Sequence, residues 1–310
     1  LKNKQNRIFL LTILICPITF FLVSSPKPQL LFSISSLLIF IYLFRYFPKL
    51  NLKNAKISFF IIILILTLNF LVKYSFLVSG VLLGIYLLFL MVKKKLVTYS
   101  IFSMITVFIL ILLPFWLFRY NNFGTNIFQS ISSPLPINIY GYEYYHGFLT
   151  SGSLPLLKIF LPIKLKEFST TFGPILFFLI LMINKKTILY KPQFLILSSF
   201  VIIVFIFGGN QTRFLYEGFL WLVFMLSLYN IKNSFLFGLF KKVSFFQCIF
   251  VIPIYIFFVI KLFPGSLNEN YRINVMKNHA YGYELASWAN QNLDEDDIIL
   301  STHRSISLFK

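Results

Sequence analysis

The sequence has very little of what catalytic and metal-binding sites are usually made of. Its 310 residues include 9 acidic residues, 3 histidines and 2 cysteines, and charged residues of both signs make up only 12%. No Asp occurs before Asp294. Cys16 and Cys248 both sit inside apolar runs, which argues against a disulfide framework and offers no zinc-ligand spacing. The chain also has no internal repeat, no glycine-rich phosphate loop and no nucleophile elbow. A water-soluble domain of this length would need far more polar surface. With 58% hydrophobic residues and a mean hydropathy of +0.83, the composition is that of a polytopic membrane protein.

What is present in excess is positive charge. The formal charge of +19 does not imply nucleic acid, because Lys and Arg fall in short clusters between apolar runs instead of covering one face. The bilayer is the partner this pattern calls for. Nine apolar runs are expected to span it: residues 8–23, 30–47, 57–72, 76–92, 99–118, 168–183, 194–208, 214–229 and 243–263. Several are near the lower limit of about 17 residues for a crossing. They are continuously apolar instead of alternating with period two, so helices are expected and a barrel is not.

The connectors alternate in charge. Five of them together hold sixteen Lys and Arg: Lys2 to Arg7, Arg45 to Lys56, Lys93 to Lys95, Lys185 to Lys191 and Lys232 to Lys242. The intervening short ones hold three, Lys27, Lys73 and Arg213. By the positive-inside rule the rich set is cytoplasmic. All nine carboxylates then fall outside, and chemistry that needs one is expected on that face. The expected architecture is an all-α membrane domain over residues 1–263, including an outer loop at 119–167, then the beginning of an extracytoplasmic α/β domain over 264–310. In that tail a helix, the acidic turn Asp294 to Asp297 and a strand-like Ile298 to Thr302 follow one another.

Two regions could carry chemistry. The turn Gly208-Gly209-Asn210-Gln211-Thr212-Arg213 leads into a span, with Glu217 four residues beyond Arg213, on one face of a helix. A charge in a span costs about 2.5–3.5 kcal/mol even on the insertion scale, so Glu217 needs a partner or a watery cavity. One reading pairs Arg213 with Glu217 simply to orient the helix. The other has the planar guanidinium grip a lipid-linked phosphate bidentately. The second region is the Tyr-rich run Tyr140 to Gly147, where Glu143 and His146 could serve a sugar hydroxyl as general base beside Tyr142 and Tyr145; ordinary aromatic anchoring of a solvated loop competes with that. Residues 154–163 are expected as an interfacial helix. Glu167 beside Lys164 and Lys166 is expected in a surface ion pair, and His279 and His303 are expected to be exposed.

Three stretches point to a family. They are Phe118-Arg119-Tyr120-Asn121-Asn122-Phe123-Gly124, then Gln211-Thr212-Arg213-Phe214-Leu215 at a span start, and a tail running from Glu284-Leu285-Ala286-Ser287-Trp288 to Ile298-Ile299-Leu300. Together they resemble the GT-C superfamily of integral-membrane glycosyltransferases. The resemblance implies a mannosyltransferase-like enzyme of the bacterial plasma membrane. It would move sugar from a polyprenyl-phosphate donor to a glycan or lipid acceptor on the outer face, with a soluble domain after the last helix. Arg213 would hold the donor phosphate, supported by Glu217 and Gln211, while Glu143, His146, Tyr142 and Tyr145 would shape the sugar pocket. No cofactor is expected, and a divalent metal is left open. Members place a catalytic Asp in the first outer loop, whereas here the turn 24–29 has no acid. Either the base is expected upstream of Leu1, in a chain cut at both ends, or the chain is not an active member. A surface-polysaccharide polymerase or ligase is the competing reading, and a transporter or flippase ranks behind it.

Overall fold

A computed structural model describes residues 4–24, 29–72, 76–124, 159–162, 170–183, 191–207, 212–228, 234–280 and 282–294. Among these residues the fold is all-α, and no strand occurs. The expected strand at Ile298 to Thr302 and most of the expected interfacial helix at 154–163 lie outside them.

The helices are α1 (Lys4–Leu14), α2 (Pro17–Ser24), α3 (Gln29–Arg45), α4 (Leu52–Val72), α5 (Leu77–Lys93), α6 (Val97–Val107), α7 (Leu113–Phe123), α8 (Ile175–Leu181), α9 (Pro192–Phe207), α10 (Tyr216–Leu228), α11 (Ser234–Leu262), α12 (Glu269–His279) and α13 (Tyr283–Asn292). A π-wound segment, Phe108–Leu112, joins α6 to α7 just before Pro114. Proline lacks the N–H that an α-helical ladder needs, and the wider π turn accommodates the lost bond. Among the described residues four helical stretches are long and apolar enough to cross a membrane: Gln29–Lys49, Leu52–Val72, Val97–Asn122 and Phe235–Ser266. At ~1.5 Å per residue even the shortest covers the roughly 30 Å hydrocarbon layer. This is the signature of a multi-pass membrane protein. Leu77–Lys93 and Pro192–Ile206 are shorter apolar helices.

Two expected spans are not single helices. The run 8–23 breaks at Ile15 and Cys16, because Pro17 cannot donate to an ongoing helix and instead starts α2 at its first position. Among the described residues of the run 168–183 only Ile175–Leu181 is α-helical; Thr171 to Gly173 are non-helical, and Gly173 takes φ +89° ahead of Pro174. Both runs are uncharged and mostly apolar, so average hydropathy passes over the breaks.

The chain divides into two compact units, Leu1–Gln247 and Cys248–Lys310. In the first, α10 packs against α1, α3 and α9, and α4 packs against α5 and α6. The core is aromatic. Trp221 is fully buried, stacked on Phe40 at 4.9 Å with its ring tilted only 12° and against Phe200 at 5.0 Å. Rings give large contact area at little rotamer cost, and the indole N–H needs a partner when buried; it donates to Ser36 Oγ at 3.1 Å.

Contacts sort this unit into two ends. At one, Lys94 Nζ donates to Leu50 O at 2.7 Å, and Lys56 lies 5.5 Å from the Tyr99 ring centre, so two of the Lys-rich connectors meet. At the other end Phe32 faces Phe76 at 6.3 Å and Thr212 Oγ1 donates to Thr170 O. In the second unit, the Asn268 side chain caps α12 by accepting from Tyr271 N at 2.9 Å, satisfying one of the open donors of the first turn. His279, expected to be exposed, is exposed at the end of α12.

Candidate functional site

The site is built on the first turn of α10, at the end opposite the Lys-rich connectors. Thr212–Leu215 is a 3₁₀ turn that leads directly into Tyr216. Arg213 is half-buried there, with its guanidinium carbon 5.5 Å from the Phe214 ring centre. Glu217, 6% exposed, is inside the protein. The expected one-face relation of Arg213 to Glu217 assumes α-helical winding from one to the other. Arg213 lies in three-residue-per-turn winding instead, so that spacing argument does not carry across the junction.

What surrounds this turn is a polar seam between α3 and α10. Gln29 Nε2 donates to Arg213 O at 2.8 Å, and seven residues further along α3 Ser36 accepts from Trp221. The two helices therefore run parallel with a fixed offset. That register puts Ser33, fully buried, level with Glu217. Beside them the Tyr216 hydroxyl shares a 3.0 Å hydrogen bond with Thr19 Oγ1, tying α2 to α10. Tyr216 is 1% exposed and Thr19 7%, so this bond has no water to replace it. Tyr216→Phe should cost about 1 kcal/mol, read as a fall of roughly 2 °C in the thermal midpoint of detergent-purified protein. No change would mean that the hydroxyls do not need each other.

Gln29, Ser33 and Ser36 recur at helical spacing, all buried, within a largely apolar run. That signal is present in the sequence, as is the isolated amide Gln247, but neither says which groups it will meet. Gln247, 6% exposed on α11, joins the two broken runs. Its Nε2 donates to Ile15 O at 3.1 Å and Phe172 O at 3.0 Å, and its Oε1 accepts from Ile175 N at 3.3 Å. Ile18 N also donates to Thr171 O at 3.2 Å, and Cys16 Sγ to Phe172 O at 3.4 Å. Non-helical backbone within a membrane persists only where protein or cavity water satisfies it. Here one amide side chain satisfies three of these groups, and backbone partners such as Ile159 O, which accepts from Phe172 N and Gly173 N, satisfy others.

Leu215 and, on another face of α10, Gly218, Phe219 and Leu222 form one wall of an apolar slot of about 320 Å³, whose other walls come from α8, α9, Phe160 and Phe172. Gly218 lets α9 close on α10, since a Cβ there would lie 3.0 Å from the Phe200 ring.

Of the expected site residues, half-buried Arg213 and buried Glu217 lie on successive turns at the start of α10. Gln211, Tyr142, Glu143, Tyr145 and His146 lie outside the described residues, as does Glu167. Among the described residues no group of three or more His, Cys, Asp or Glu side chains could hold a metal ion. Arg119, near the end of α7, is 6% exposed and is a buried cation.

Residues 3–276 match the model of the DUF1420 N-terminal domain, and the chain belongs to the DUF1420 family. No curated protein and no solved structure matches it.

Proposed function

We propose that this member of the DUF1420 family is an integral-membrane glycosyltransferase of the GT-C type. It would take sugar from a polyprenyl-phosphate donor and transfer it to a glycan or lipid acceptor on the outer face of the plasma membrane. The observation that carries the reading is the corner at the start of α10. A guanidinium and a buried carboxylate stand there at the head of a polar seam, with an apolar slot on the same helix. A lipid-linked phosphate has the matching halves, an anion for the guanidinium and hydrocarbon for the slot.

In this reading the chain crosses nine times, with the Lys-rich connectors inside and the Arg213 corner outside. The meeting of Lys94 with Leu50 at one end, and of Gln29 with the Arg213 turn at the other, supports that sidedness. Glu143, His146 and the adjacent tyrosines would line the sugar pocket, and the tail would open a small outer α/β domain.

The broken runs favour a second reading, a transporter, because discontinuous helices often frame ion or substrate sites. Gln247 argues against it. Its amide already donates to Ile15 O and Phe172 O, the carbonyls a bound cation would need.

The test is transfer of labelled hexose from synthetic polyprenyl-phosphate donors in proteoliposomes, with release of polyprenyl phosphate as the readout. Arg213→Ala should lower turnover at least about 10²-fold, the usual effect of deleting one charge-stabilising donor, while inserting normally. Arg213→Lys should recover only part, since an ammonium lacks the bidentate fork. Turnover equal to the parent protein in Arg213→Ala would remove this corner from the reaction.

A further inference from the structure

We infer that the place where the α3–α4 and α5–α6 connectors meet is a binding site for an anionic phospholipid headgroup. The site depends neither on the reaction proposed above nor on which leaflet this end of the unit meets.

The first connector carries four cations between Arg45 and Lys56, and the second carries three, Lys93 to Lys95. Two contacts bring the connectors together. Lys94 Nζ donates to Leu50 O at 2.7 Å and to Pro48 O at 3.3 Å, which uses two of the ammonium's three donors, and Lys56 lies over the Tyr99 ring. No carboxylate answers this charge. The sequence has none before Glu143, and the one carboxylate among the described residues of this unit, Glu217, is at the opposite end. Like charges gathered in this way repel one another, and an anion from outside relieves the repulsion.

Membrane sidedness requires a number of basic residues, not particular places for them. Two of the places here are costly. Lys95 has φ +58°, the one residue other than glycine with positive φ among the described residues. It closes α5, with Leu96 N donating to Met91 O at 3.0 Å and Lys95 N to Val92 O at 2.9 Å, a helix ending whose usual occupant is glycine. Lys53 stands in the first turn of α4, where the helix dipole disfavours a cation. That turn is already capped, because Asn51 Oδ1 accepts from Asn54 N at 2.9 Å. Neither lysine is therefore explained by the local backbone, and a phosphate held between the connectors offsets both costs.

The surroundings favour a lipid over a free anion. Gln29–Lys49 and Leu52–Val72 are both long enough to cross a membrane, so the short link between them lies where helices leave the hydrocarbon. Leu52, Val92 and Val97 beside the cations are exposed. Such apolar surface suits acyl chains, while lysines at the same depth draw anionic headgroups.

The experiment uses the full chain in a nonionic detergent, titrated with dioctanoyl phosphatidylglycerol, dioctanoyl phosphatidylcholine or inorganic phosphate, with the thermal midpoint as readout. Phosphatidylglycerol should raise the midpoint saturably, and the other two should leave it in place. Lys95→Gly should raise the midpoint of lipid-free protein, because glycine adopts the left-handed backbone freely. The same variant should bind phosphatidylglycerol about fivefold more weakly, the scale of one basic residue at an anionic surface. Lys53→Gln should weaken binding by a similar factor without lowering the lipid-free midpoint. Equal stabilisation by phosphatidylcholine or by phosphate, or a phosphatidylglycerol titration unchanged in both variants, would overturn the inference. So would a Lys95→Gly protein less stable than the parent without lipid, since the lysine would then serve the fold.

Discussion

Gln247→Leu is expected to be the most damaging single change of similar volume in this protein. The leucine fills the space but leaves Ile15 O and Ile175 N without the amide that satisfies them, and leaves Phe172 O with only the Cys16 thiol at 3.4 Å. A buried polar group stripped of its partner costs about 1–3 kcal/mol, so the two fully orphaned groups alone amount to roughly 2–6 kcal/mol. That is a large share of the ~5–15 kcal/mol that holds a typical domain folded. Ile175 N is also one of the open donors at the start of α8, and α8 has only seven residues with which to hold its place. The expected result is loss of a monodisperse peak in detergent size-exclusion chromatography, or a thermal midpoint lowered by many degrees. Gln247→Met keeps the length and flexibility of the side chain and should fare no better. A methionine variant as stable as the parent would show that packing, not the amide, closes the two breaks.

How much of this was legible in the sequence depends on the range of the signal. The long apolar runs that become α3, α4 and α11 declare themselves locally, and so does the helical class. Arg213 and Glu217 also declare themselves, because charges beside an apolar run are costly and conspicuous. Pro17 and the Gly173-Pro174 pair were visible as helix breakers, yet the surrounding hydropathy is continuous and a window average passes over them. The partner that makes the breaks tolerable could not be read at all. Gln247 is 232 residues from Ile15 and 75 from Phe172, and nothing in an amide's immediate neighbours says which carbonyls it will meet. The seam shows the same limit from another side. The spacing of Gln29, Ser33 and Ser36 marks a polar face on α3, but only the packed structure shows that this face runs parallel to α10, level with Glu217. The slot is less legible still. Its lining residues look like every other lipid-facing position until α8, α9 and α10 are set side by side.

Gly173→Ala should be nearly as harmful as the loss of Gln247, and the two changes should be strongly non-additive. The backbone at Gly173 has φ +89°, a region that costs a residue with a Cβ about 1–3 kcal/mol. A Cβ built there would also press on the Gln247 amide, touching its Oε1 and lying 2.6 Å from its Cδ. The amide cannot swing away without releasing Ile15 O, Phe172 O and Ile175 N together. Alanine at 173 therefore adds a backbone penalty to partial loss of the same hydrogen bonds. A double-mutant cycle separates the two. In a Gln247→Ala background there is no amide to displace, so Gly173→Ala should cost only its backbone share. The coupling between the sites should reach about 1–2 kcal/mol, within the range found for residues in direct contact. Additivity to within about 0.5 kcal/mol, measured as thermal or denaturant unfolding of the four proteins in one detergent, would mean that Gly173 and Gln247 do not share the junction on which the two broken runs depend.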